Sequence, residues 1–152
     1  MLRENPVDLE RVHFLGKVPY ATYKNVLQIS AVHVYLTYPF VLSWSLLEAM
    51  ASGCLIVASD TAPVREVIND GENGLLVGFF DTDSIAERVL SALDAPQRFG
   101  ELRREVVTTT YRYSIDTGNV RYMKVLAEDL YRYILKLNCD FVSGCKFIKA
   151  SL

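Results

Sequence analysis

Glu48 is the residue whose position asks for a chemical explanation. It stands in YPFVLSWSLLEAMASG, Tyr38 to Gly53, an apolar stretch broken by two serines around a tryptophan. A carboxylate there could accept hydrogen bonds from sugar or ribose hydroxyls if its helix begins just upstream. With a start near Ser43 to Ser45, the unpaired amides of Ser43, Trp44, Ser45 and Leu46 could cradle a diphosphate, and the two hydroxyls would add donors. The rival reading is local. Ser45-Leu-Leu-Glu48 spells S-x-x-E, a capping box in which Glu48 bonds back to the Ser45 amide. Local sequence leaves both open.

A second polar cluster, SDTAPVRE, offers Asp60, Thr61, Arg65 and Glu66. It can approach a ligand closely, or it is a solvated turn capped by Asp60 or Thr61. His13 and His33 have no Cys or acidic partner at ligand spacing and read as structural residues. G-x-S-x-G, P-loop and G-x-G-x-x-G motifs are absent. Cys54, Cys139 and Cys145 form neither a disulfide framework nor a zinc pattern, and Cys54 reads as a small core residue. No metal site is expected.

The elements that must position these residues follow from hydrophobic patterning. RVHFLG (11–16) is a short apolar burst ended by glycine, and AVHVYLTY (31–38), CLIVASD (54–60) and GLLVGFF (74–80) are further strand candidates. Continuous apolar runs of this length suit parallel strands covered on both faces. Between them lie helical patterns at VPYATYKNVLQIS and LLEAMASG, the latter stopped by Gly53, and a short helix beginning near Pro63. DTDSIAERVLSALDAP is a helix capped by Asp81 or Thr82. Two more helices are expected at roughly 97–110 and 115–136, and the aromatic residues along 111–133 fall at packing spacing. Strand and helix alternate with short links and no hairpin signal. The expected fold is therefore α/β: a Rossmann-like three-layer domain with a parallel sheet of about four strands and a helical C-terminal region. The domain is expected over 1–136, with 137–152 as a C-terminal tail.

The 152 residues are 51% hydrophobic and 22% charged with net charge −2, which suits one soluble domain with a sizeable core. Scattered Lys and Arg argue against nucleic acid, and no run reaches the roughly 18 apolar residues of a membrane span. MLRENPVDLER lacks the apolar core of a signal peptide, so a cytoplasmic location is expected.

The order of segments is more specific than any single motif. RVHFLGKVPYATY, AVHVYLTYPF and LLEAMASGCLIVASDTAPVREVINDGENGLLV together resemble the C-terminal, nucleotide-sugar-binding domain of group 1 (family 4) glycosyltransferases. The resemblance covers about residues 10–130. It implies a retaining enzyme of the GT-B arrangement, in which two Rossmann-like domains face a cleft. It also implies a nucleotide diphosphate sugar as donor substrate, and no further cofactor. Glu48 matches the family's second glutamate, which binds the donor ribose. Ser43, Trp44 and Ser45 fall where backbone amides meet the diphosphate and sugar, and Gly16 and Lys17 fall near the nucleotide base.

Two departures accompany the resemblance. The family's first glutamate falls at position 40, where this chain has Phe40, so no catalytic residue is assigned. The acceptor-binding domain and the first strands of the donor domain, with their diphosphate-gripping Arg and Lys, have no counterpart in this sequence. In the strand order 3-2-1-4-5-6 those strands sit between VHFLG and VHVYL. VHFLG is then expected to move beside VHVYL, or the edge to borrow from another copy, and self-association follows because an apolar parallel edge is a liability. The implied function is the donor-binding half of a glycosyltransferase, with little or no transferase activity as an isolated chain and a separate N-terminal half as a candidate partner. The alternative is a non-catalytic binding or self-assembly module. A signalling domain of the response-regulator kind ranks below both, for want of an acidic cluster after a first strand.

Overall fold

The computed structural model describes residues 8–38 and 41–144, with side chains up to 135. Pro39, Phe40, the side chain of Cys139 and the segment 145–152 with Cys145 lie outside the described residues. The chain divides into two compact units, Met1–Val107 and Thr108–Leu152.

The first unit is a parallel sheet with helices on both faces. Its elements run α1 (Tyr20–Ile29), β1 (Val32–Tyr35), α2 (Trp44–Ala51), β2 (Leu55–Ser59), α3 (Ala62–Arg65), β3 (Leu75–Val77), α4 (Thr82–Asp94) and the start of α5 (Gly100–Thr110). The strand order is β1-β2-β3, all parallel, with Tyr35 opposite Ala58 and Ser59 opposite Val77. Every residue of β2 is buried, and its side chains alternate between two cores. Ile56 and Ala58 pack with Leu27, Leu46, Met50, Val64 and Val106. Leu55 and Val57 pack on the other face with Leu75, Val77 and Ala92 of α4. Coverage on both faces is why CLIVA reads as a continuous apolar run.

Local chemistry sets several boundaries. Asp81 caps α4, its carboxylate accepting from the Ser84 amide at 3.0 Å. Gly53, at φ 77°, ends the α2 turn in the left-handed region that a side chain resists. Gly74 enters β3 so close to Ile68 that an added Cβ would lie 2.9 Å from its Cγ2. Cys54 is a buried free thiol that donates to the Leu27 carbonyl at 3.0 Å, and burial pushes its titration up.

The sheet has three strands among the described residues rather than about four. Residues 12–15 are not a strand: after a single 3-10 turn at Leu9–Arg11 the segment runs unpaired, with Phe14 89% exposed. An extended segment becomes a strand only when a ladder takes up its N–H and C=O groups, and here none does. The expected move of VHFLG to β1 therefore does not occur, and β1 has β2 as its one strand neighbour among the described residues.

The second unit contains a 3-10 turn at Tyr111–Tyr113 and α6 (Ile115–Gly144). Ser114 opens α6 by accepting from the Thr117 amide at 3.2 Å. The helix continues beyond residue 136, where the apolar pattern was expected to end. Its described side chains are mostly exposed, including Val120, Met123 and Leu130. No helix among the described residues is long and apolar enough to cross a membrane.

Candidate functional site

In an open parallel sheet, ligands meet the chain beyond the carboxyl ends of the strands, where helix N-termini present their free N–H groups. The β1–α2 junction has this form. Ser43 is the N-cap of α2 in an extended conformation, and its Oγ accepts from the Ser45 amide at 3.2 Å. The two serine hydroxyls bond each other at 3.0 Å.

This geometry corrects the expectation of four unpaired amides. The Ser43 amide donates to the hydroxyl of buried Tyr35 at 3.0 Å, because a phenol in the core needs a partner. The Ser45 amide is taken by the cap, and the Leu46 amide bonds the Ser43 carbonyl at 3.2 Å. Trp44 is left with a free amide among the described residues. Of the two serine hydroxyl hydrogens, one is used in the Ser43–Ser45 bond and one remains. An anion at this helix end thus meets two ready donors, the dipole of α2, and an indole that is 77% exposed.

Glu48 lies one turn further in and is partly buried. It does not form the capping box. The cap is Ser43, and the Ser45 amide that Glu48 was to satisfy is already bonded. Instead Glu48 Oε1 accepts a hydrogen bond at 3.0 Å from the hydroxyl of Tyr20, on α1. That bond, and then the carboxylate's charge, hold the Tyr20 hydroxyl above its ordinary pKa. Tyr23, one turn along α1, has its hydroxyl oxygen buried with no hydrogen bond formed. Its pKa is raised as well, by burial first and then by the charge of Glu48. Neither tyrosine was marked by the sequence pattern, where Tyr20 and Tyr23 read as part of an apolar helical face.

Gly16 and Lys17 stand in the turn that leads into α1. Gly16 has φ 60° and open space around it, and Lys17 is exposed. Neither bonds to the α2 residues, so Ser43, Trp44, Ser45 and Glu48 are gathered on one helix end while Gly16 and Lys17 are not joined to it.

The β2–α3 junction is closed on itself. Arg65 pairs with Asp60 through Nε to Oδ1 and through Nη2 to Oδ2, the latter at 2.6 Å. The guanidinium bond holds the Asp60 carboxyl below the usual carboxylate range. Thr61 is the N-cap of α3 without a side-chain bond, so neither residue caps as the turn reading expected. Ser59, buried at the end of β2, donates from Oγ to the Thr37 carbonyl at 2.9 Å and accepts from the Thr37 amide at 3.0 Å. Tyr38, Phe79 and Phe80 form an aromatic trio with ring centroids 4.9 to 5.3 Å apart, joining the chain after β1 to the chain after β3.

His33 is half-buried, which lowers its pKa, and has no ionic partner among the described residues. No group of three or more His, Cys, Asp or Glu among the described residues could hold a metal ion. A shallow depression of about 620 Å³ runs along α4 between Asp83 and Arg98, lined by helix surface and apart from the residues above.

A parallel β-α-β sheet with a capped helix end beside β1 defines a Rossmann-like domain. Its backbone matches that of Anabaena Alr3699/HepE, solved in complex with UDP (TM-score 0.69, 20% identity, 78% of this chain and 33% of that one). The complex of the same protein with UDP-glucose matches with TM-score 0.63 and 17% identity, over 68% of this chain and 29% of that one. In sequence, residues 7–112 match the family model described as glycosyl transferases group 1. The chain is 33% identical over 130 residues to a phosphatidyl-myo-inositol mannosyltransferase of Mycolicibacterium smegmatis, which covers 82% of this chain and 33% of the relative. The chain belongs to the group 1 glycosyltransferase family. It spans about a third of the length of that relative.

Proposed function

We propose that this chain is the donor-binding half of a group 1 glycosyltransferase and takes a nucleotide diphosphate sugar at the N-terminus of α2. The observation that carries the reading is the state of Glu48. It takes no part in capping its own helix, which Ser43 caps, and it is held from α1, beside a helix end that keeps free donors. In this reading Glu48 accepts from ribose hydroxyls. The Trp44 amide, the spare serine hydroxyl and the α2 dipole meet the diphosphate. Stabilising the departing diphosphate is then the main contribution of this half to a transfer that retains configuration, with the acceptor supplied on another domain or chain. Gly16 and Lys17 flank the base. Together with the family membership, the solved complexes of Alr3699/HepE with UDP and UDP-glucose support a nucleotide-sugar ligand.

Phe40, in place of the family's first glutamate, favours a second reading: a binding or assembly module that keeps the fold without the reaction. Titration of the chain with UDP, GDP and ADP by calorimetry separates the two. Saturable binding that is lost in Glu48→Gln supports the donor site. Absence of binding at millimolar nucleotide overturns it for this chain.

A further inference from the structure

Glu48 is a helix carboxylate whose bonded partner is on a different helix, and that helix is anchored in the core. Leu27 seats α1 in the core, and its carbonyl accepts from the Cys54 thiol. At the other end of α1, the Tyr20 ring lies 6.1 Å from that of Tyr23, and the Lys24 ammonium sits 5.5 Å from its centroid. The phenol thus has two ring contacts within its own helix besides its bond to Glu48. A carboxylate offers about four lone-pair positions on two oxygens. Tyr20 occupies one on Oε1, and no cation among the described residues pairs with the rest, in contrast to Asp60 with its arginine.

We propose that Tyr20 and Tyr23 are positioning residues for Glu48, fixing its carboxylate so that the open oxygen accepts from a vicinal diol and the site selects ribonucleoside over 2′-deoxyribonucleoside diphosphates. The proposal rests on the donor-binding reading above. Tyr20 donates to Oε1 and stops the side chain from sampling other rotamers. The Tyr23 hydroxyl, buried and without a bond, faces the same negative charge, and a small turn of either group gives the carboxylate a second donor. Tyr20 is 60% exposed, so its bond does little for the fold. Its effect belongs to ligand selection.

The test is calorimetric titration of the full chain, as wild type, Tyr20→Phe, Tyr23→Phe and the double variant. The probes are UDP, GDP and ADP with their 2′-deoxy counterparts. Wild type is expected to favour the ribonucleotide that binds by roughly tenfold or more, the size of a hydrogen bond to a charged group. Tyr20→Phe weakens the ribonucleotide by roughly three- to tenfold, the usual effect of releasing one ordered side chain, and leaves the 2′-deoxy affinity and the melting temperature unchanged. Tyr23→Phe removes the second hydroxyl that faces Glu48, and a smaller loss confined to the ribonucleotide carries the same comparison if Tyr20→Phe melts early. Wild-type binding with equal effects on both sugars, or with none, overturns the positioning role and leaves the donor site standing. Failure of wild type to bind any of the three overturns both.

Discussion

The β1–α2 and β2–α3 junctions occupy equivalent places in the sheet, and each carries one acid close to a helix start. Asp60 is paired on both oxygens by Arg65, five residues on, within its own junction. Among the described residues Glu48 receives one bond, from a tyrosine on another helix, and no cation. α2 runs eight residues from a serine cap, whereas α3 is a four-residue turn without a side-chain cap. Residue type makes the two junctions look alike. What separates them is how much bonding capacity each acid retains, and that is set by neighbours that are distant in sequence.

The largest effect comes from unseating one junction altogether. Leu46 is fully buried beneath α2, and Leu46→Ala is expected to cost about 2–5 kcal/mol in urea unfolding. A cost well below that would mean that α2 does not rest on this core. Glu48→Gln comes next. It is expected to lower nucleotide affinity by roughly 10- to 100-fold with little change in stability, while Asp60→Asn leaves affinity unchanged. Equal losses from the two variants would erase the distinction between the junctions. Ser43→Ala removes a working cap, with an expected cost of about 0.5–2 kcal/mol. Thr61→Ala removes a hydroxyl that bonds nothing and is expected to cost less in the same unfolding assay.

The smallest effect is in pH. The Asp60 pKa is depressed in the folded chain, so its contribution is present above the unfolded value of about 4 and lost as pH falls through the folded one. The melting curve of Asp60→Asn should therefore converge with that of wild type at the acidic end of the pH range.

Most of the sheet was legible from short range. CLIVA is apolar without alternation because β2 is covered on both faces, and Asp81 caps α4 through contacts within four residues. What could not be read depended on partners far along the chain. VHFLG has the composition of a strand, but composition does not supply a ladder. S-x-x-E has the spacing of a capping box, yet Ser43 takes the cap two residues earlier. Of the expected site, Ser43, Trp44, Ser45 and Glu48 lie together because one helix carries them. The Tyr20–Glu48 bond spans 28 residues, and nothing in local periodicity distinguishes a bonded phenol from one more apolar ring.

Ser59 is the polar residue at the end of an otherwise apolar strand, and it does what a peptide group would do. Its hydroxyl gives one hydrogen bond to Thr37 and takes one from it, extending the β1–β2 pairing past the last rung at Tyr35 and Ala58. At the other end of the loop, the Tyr35 hydroxyl holds the Ser43 amide. Both tethers run between backbone groups of the loop ends and side chains of the strands, so neither depends on which side chains lie between Thr37 and Ser43. Such an arrangement separates the address of a loop from its content. The helix start that follows is placed by bonds that belong to the strands.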